Sequence, residues 1–127
     1  MAAELERFLA TPRELSDTLA EVIRQTGLLE RRVGTPLFKD MIALYFSPSR
    51  PELQRWQDHP VIARVIEELR LAGDRGDIRT DDADPLNTAM FFFLGLFALL
   101  VTQERSTARA EALAQFVRVL LRGVEAS

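Results

Sequence analysis

Residues 84–103, with the sequence DPLNTAMFFFLGLFALLVTQ, decide how this chain folds. Asp84 is a residue type that caps helices and Pro85 suits the first helical position, so the pair predicts a helix start. The helix that follows is apolar on nearly every side, and such a helix must be covered from several directions. We therefore expect its partners to lie elsewhere in the fold or on a second subunit.

The apolar run at residues 89–101 is too short to predict a membrane span. It contains thirteen residues, whereas crossing a bilayer takes about twenty. The chain also does not open with a charged region followed by an apolar stretch, the arrangement of a secretory signal. The sequence therefore predicts a buried core helix in a cytoplasmic protein that does not contact a membrane.

A second helix start is predicted at residues 11–14. Thr11 can accept a hydrogen bond from the amide of Glu14, Glu14 can reach back, and Pro12 fits the first helical position. Apolar residues at helical spacing follow, and Gly27 offers a left-handed stop. This segment is predicted to be an amphipathic helix that ends at Gly27.

Three further helices follow from the same kinds of signal. The pair Thr35-Pro36 begins one, Pro60 begins a second that Gly73 ends, and residues 108–124 form a clear amphipathic helix. No run alternates apolar and polar residues between turns, so no strand is predicted. The expected fold is all-α: an antiparallel bundle of about five to six helices, forming a single domain over residues 1–127.

The composition argues against several classes of function. Sixteen basic and nineteen acidic side chains are interspersed along the chain and give a net charge of −3, which does not indicate a nucleic-acid surface. The absence of cysteine excludes disulfides and thiolate metal sites, and the single His59 is expected to cap a helix. We therefore predict no catalytic residues, no metal, no cofactor and no enzymatic activity.

Two local patterns have an alternative interpretation. Residues 19–28 have the spacing of the first helix and turn of a helix-turn-helix, but the segment 34–36 would break the helix that must read DNA. The aspartates at positions 81, 82 and 84 could hold a divalent cation, yet they lack the ligand spacing of a calcium loop. We interpret them as a solvated helix cap.

Large aromatic side chains are more numerous than a small bundle needs to seal its core. Together with methionine they favour an apolar ligand site between helices, although each single residue could equally be core. The polar side chain of Tyr45, Gln57 or Asn87 is expected to give this site its specificity for a ligand. The predicted ligand-binding residues are Phe38, Met41, Ile42, Tyr45, Phe46, Trp56, Ile62, Ile66, Asn87, Phe91 and Leu94.

The helix over residues 85–103 has apolar side chains on two broad faces, and a chain this short rarely covers both. The small residues Gly95 and Ala98 lie between those faces and would let another helix approach closely. We predict a two-fold homodimer in which the last two helices pair across the axis. The predicted interface residues are Phe92, Gly95, Leu96, Leu99, Leu113, Phe116, Val117, Leu120 and Leu121, and which face serves the dimer and which the ligand stays open.

From Asp58 onward the chain resembles the C-terminal domain of TetR-family transcriptional regulators. That family shows a helix, then a glycine, an apolar residue and acidic residues, then a helix starting near Asp-Pro. Here the segment 73–85, GDRGDIRTDDADP, supplies this order through Gly76, Ile78 and Asp84-Pro85. Ala89, the sequence FLGLF at 93–97 and the last amphipathic helix continue the resemblance, which covers most of the chain.

The resemblance implies the effector-sensing and dimerisation half of a repressor. In such proteins the last two helices form a dimeric four-helix bundle, a small and often apolar effector binds among the preceding helices, and DNA is contacted only through a separate N-terminal domain. That domain would take about fifty residues before Met1. Residues 1–10 are then the end of a connecting helix, and either a shortened regulator or a natural stand-alone relative fits.

Two other readings of the sequence remain. One is a stand-alone helical dimer that binds a protein or an apolar small molecule and has no role in transcription. The other is a small helical enzyme, which would require several polar side chains converging in a cleft, and the sequence indicates no such set.

Overall fold

The computed structural model describes residues 2–11, 13–45, 58–79 and 84–124, and within these ranges it contains helices and no strand. The predicted all-α fold is confirmed. The six helices are α1 Ala2–Leu9, α2 Leu15–Val33, α3 Thr35–Tyr45, α4 Pro60–Asp74, α5 Pro85–Thr102 and α6 Thr107–Val124.

Three helices begin where predicted, and capping hydrogen bonds fix two of these starts. Asp84 accepts a hydrogen bond from the backbone N–H of Asn87 through Oδ1 at 2.7 Å, with Pro85 at the first helical position. His59 caps α4 in the same way, because its Nδ1 accepts from the N–H of Val61 at 3.2 Å. The Thr35-Pro36 pair begins α3.

The predicted start of α2 is wrong. Thr11 donates its hydroxyl hydrogen to the carbonyl of Phe8 at 2.7 Å and so belongs to the end of α1. The helix begins at Leu15, where Glu14 and Asp17 form a reciprocal capping box. This box satisfies free backbone amides at the start of the helix. The predicted cap at Thr11 would have done the same three residues earlier in the chain.

The predicted end of α2 at Gly27 is also wrong, since the helix continues to Val33. Glycine inside a helix costs about 1 kcal/mol relative to alanine, and the following turn is held in place by the buried pairing of Glu30 with Arg109. The helix ends where Gly34 adopts φ of 88° and its N–H donates to the carbonyl of Glu30. The helix-turn-helix spacing at residues 19–28 therefore lies within one continuous helix.

The core forms where α2, α4, α5 and α6 meet. Helix α5 packs against α4, α6 and α3, while α2 packs against α1, α3, α4 and α6. Helices α2, α4 and α5 supply the most deeply buried apolar side chains of this core, which include Leu19, Val22, Val65, Leu69, Phe92, Leu96 and Leu100. The turn after α4 is tied to the end of α6, because the N–H of Arg79 donates to the carbonyl of Val124 at 2.6 Å.

A buried ion pair joins the last turns of α2 to the first turn of α6. Arg109 donates to both carboxylate oxygens of Glu30, at 2.6 and 3.1 Å, and the Glu30 side chain is 0% exposed. The hydrogen bonds from Arg109 hold the pKa of Glu30 below its ordinary value. A bidentate pair in a buried setting fixes the geometry of the two helices, because either partner alone would be an unpaired buried charge.

Candidate functional site

The outer face of α5 is apolar and uncovered. Phe91 is 51% exposed and Leu94 is 44% exposed. Ala98 and Val101 are also exposed, and the spacing 91, 94, 98 and 101 places all four on one side of the helix. We name these four residues the α5 stripe.

A second exposed apolar row runs along α3, the helix that packs beside α5. Leu37, Met41 and Leu44 are exposed and recur at helical spacing, while Phe38 and Ile42 on the other side of α3 are buried. We name the three exposed residues the α3 stripe. Two neighbouring helices thus each present an apolar row to solvent.

The combined area of the two stripes is close to the apolar area of a stable interface. With about 200 Å² for a whole Phe side chain and somewhat less for Leu, Met and Val, the exposed fractions give on the order of 500 Å². A standard interface buries about 800 Å² per partner, of which about 57% is apolar. The α5 stripe alone supplies roughly half of that apolar area, so a stable contact requires α3 as well.

Five of the predicted dimer residues have no surface to offer a second chain, which corrects that assignment. Phe92 and Leu96 are 0% exposed, and on α6 the buried ones are Leu113, Val117 and Leu121. These side chains belong to the hydrophobic core of the same chain. Helices α5 and α6 pack against each other within one subunit, and their predicted pairing across a two-fold axis stays a prediction.

The remaining predicted dimer residues also pack inside the same chain. The ring of Phe116 fills the space above Gly95 and stacks on Phe92, with centroids 6.0 Å apart and ring planes 7° apart. Leu99 and Leu120 are partly buried against the core. The small residue at position 95 thus admits an aromatic ring from the same chain.

The structure does not bring the predicted ligand-binding residues together. Buried core positions are occupied by Phe38, Ile42 and Ile62, with Ile66 partly buried beside them. Asn87 is exposed, and the predicted pocket residues Met41, Phe91 and Leu94 belong to the two exposed stripes. The side chain of Tyr45 and the residues Phe46, Trp56 and Gln57 lie outside the described residues. An enclosed site formed by the whole predicted set is therefore not present among the described residues.

A polar cleft of about 340 Å³ lies where the start of α2 meets the end of α4 and α6. Small-molecule sites begin at about this size. Its charged groups are largely satisfied, since Arg13 donates to Glu68 at 2.7 Å and Arg75 to Asp77 at 2.9 Å. The lining residues, none of which the sequence analysis selected, are Arg13, Glu14, Leu15, Ser16, Thr18, Glu68, Arg75, Asp77, Ile78 and Leu121.

Helix α5 also satisfies the length and hydropathy of a membrane span. It has 18 residues with a mean hydropathy of 1.8, and 33% of it is buried inside the fold. The core helix of a soluble protein meets the same criteria. The helix exceeds the thirteen-residue run on which the sequence argument rested, so the expected absence of a membrane contact stays a prediction.

The described residues hold no group of three or more His, Asp or Glu side chains that could bind a metal ion. The candidate site is the apolar surface that the α3 stripe and the α5 stripe present to solvent. No protein-family model, curated protein or solved structure matches this chain, and the resemblance to TetR-family regulators rests on the sequence motifs alone.

Proposed function

We propose that this chain is a homodimerising, effector-sensing helical domain of the kind that the TetR-like motifs imply. The observation that supports the proposal most is the uncovered α5 stripe, with Phe91 51% exposed beside Leu94. Large contiguous apolar patches on soluble proteins commonly mark interaction sites. The chain would contact DNA only through a separate domain and would act in the cytoplasm.

The free energy available from burying the two stripes is of the same size as the cost of association. Burying the exposed part of a half-exposed Phe, Leu, Met or Val contributes about 1 kcal/mol. Six such side chains lie on the stripes of each copy, so a symmetric contact gains on the order of 10 kcal/mol. Association costs about 4 to 15 kcal/mol, and the α5 stripe alone would therefore leave little or no surplus.

An effector would act through this dimer by favouring one of two arrangements of the subunits. A small, largely apolar molecule among Phe38, Ile42 and Ile62 would have to separate helices that are packed in the core. Binding of such a ligand would affect the contact between subunits through α3. This helix carries the predicted pocket residues Phe38 and Ile42 on one side and the α3 stripe on the other.

Sedimentation analysis tests the dimer with one variant and one matched control. Leu94→Glu places a charge in the α5 stripe and should give a helical monomer. Leu28→Glu changes a residue of nearly equal exposure, 42%, on the outer face of α2 and should remain dimeric. A wild-type chain that sediments as a single copy would contradict the proposal.

The proposed role in transcription is tested separately, by reading the DNA sequence upstream of the Met1 codon in the same reading frame. A helix-turn-helix encoded there in frame supports the repressor role. A dimer without such an upstream domain favours the stand-alone helical dimer with no role in transcription.

A further inference from the structure

The α5 stripe has the pattern of a surface that pairs with itself in one register. Resting on the dimer proposed above, we infer that α5 of one copy packs antiparallel against α5 of a second copy, with the two-fold axis between Leu94 and Gly95. Side-chain sizes, the charges at the helix ends and the polarity of α6 favour a second copy as the occupant of the α5 stripe.

Side-chain size agrees with this register. In an antiparallel two-fold contact, the numbers of any two facing residues add to a constant. Facing Phe91 against the partner's Ala98 puts the largest side chain of the stripe opposite the smallest, as interdigitating helix ridges require. The same sum puts Leu94 beside the axis, next to the partner's Leu94. A shift that faces Phe91 with the partner's Leu94 would instead bring two bulky side chains together.

The ends of α5 agree with the same register. Asp84 lies at the amino end of the helix and Arg105 follows its carboxyl end, and both are exposed. The residue numbers 84 and 105 add to the same total as 91 and 98. In this register each Asp84 would therefore approach the partner's Arg105. Exposed Asn87 would likewise approach the partner's Thr102, another exposed polar residue. A parallel pairing would oppose two copies of Asp84 and align the helix dipoles unfavourably.

Helix α6 is a poor alternative for the central contact. Its outer face exposes the polar side chains of Glu111, Gln115, Arg118 and Arg122, with Val119 as the large apolar exception. Burying several charged groups without partners is unfavourable. Helix α5 contains no charged residue at all, so its outer face loses no ionic hydration on pairing.

Engineered disulfides test the register, because the chain has no cysteine and each introduced thiol is unique. Leu94→Cys should form a covalent dimer with itself on mild oxidation. A mixture of Phe91→Cys and Ala98→Cys chains should cross-link to each other. Phe91→Cys alone should not, because seven residues of helix place the two thiols about 10 Å apart, beyond the reach of a disulfide.

The same variants are sedimented under reducing conditions, which separates the two proposals. Dimers that fail to cross-link through Leu94→Cys, or that cross-link through Phe91→Cys alone, would overturn the register and leave the dimer intact. Monomers would overturn both. A monomeric chain that co-sediments with phosphatidylcholine vesicles would assign the α5 stripe to a lipid surface instead. Leu28→Cys serves as the control and should give no covalent dimer.

Discussion

The substitution Gly95→Ala tests how tightly α5 and α6 pack. A Cβ atom at position 95 would lie 2.5 Å from Cζ and 2.6 Å from Cε1 of Phe116, so the ring must move. Its freedom is restricted, because it stacks on the fully buried Phe92. The methyl group therefore forces a rearrangement of the contact between the two helices.

The expected effect is the difference between two opposing terms. Alanine stabilises a helix interior by about 1 kcal/mol relative to glycine, whereas overpacking a core costs about 1 to 3 kcal/mol. We expect Gly95→Ala to lower the free energy of unfolding by up to about 2 kcal/mol, or to leave it unchanged. At Gly27, also inside a helix, an added Cβ meets nothing within 4 Å, so Gly27→Ala should raise it by about 1 kcal/mol.

The assay is urea denaturation followed by circular dichroism, with all variants at one protein concentration because a dimer's stability depends on it. The double variant Gly95→Ala/Phe116→Leu should recover part of the loss, since the smaller side chain leaves room for the methyl group. If Gly95→Ala stabilised the fold as much as Gly27→Ala does, the close packing of Phe116 on position 95 would be refuted.

Three further predictions concern polar groups. Because Arg109 lowers the pKa of Glu30, ionised Glu30 stabilises the fold above pH 4.5 and this contribution is lost as the pH falls below that value. Glu30→Gln should therefore flatten the acid limb of the stability profile, whereas Glu111→Gln, at an exposed position on α6, should leave it steep. Arg109→Met leaves a buried carboxylate unpaired and should destabilise by about 3 to 5 kcal/mol in urea; a loss under 1 kcal/mol would argue against the buried pair. Asp84→Ala removes the acceptor of the Asn87 N–H and should cost about 0.5 to 2 kcal/mol, with Asp84→Ser retaining most of the stability; equal stabilities of the two variants would contradict the cap.

Helix boundaries could be predicted where the signal is local. The starts at Asp84-Pro85 and Thr35-Pro36, and the cap supplied by His59, depend on hydrogen bonds between neighbouring residues and on proline geometry. Gly27 misled the prediction, because the turn after it is stabilised by the pairing of Glu30 with Arg109, a residue 79 positions away. Contacts of that sequence separation leave no periodic trace in the sequence.

The candidate site, like the helix boundaries, could be predicted from the sequence only in part. The sequence alone predicted, over residues 85–103, a helix with more apolar surface than one neighbour can cover, because hydrophobic composition is a property of the residues themselves. Only the tertiary structure decided which face turns inward. A helix that is apolar all round has no polar side to orient it, and the choice was made where the ring of Phe116 occupies the space left by Gly95. Phe92 and Leu96 are buried as a result, and Phe91 and Leu94 remain at the surface.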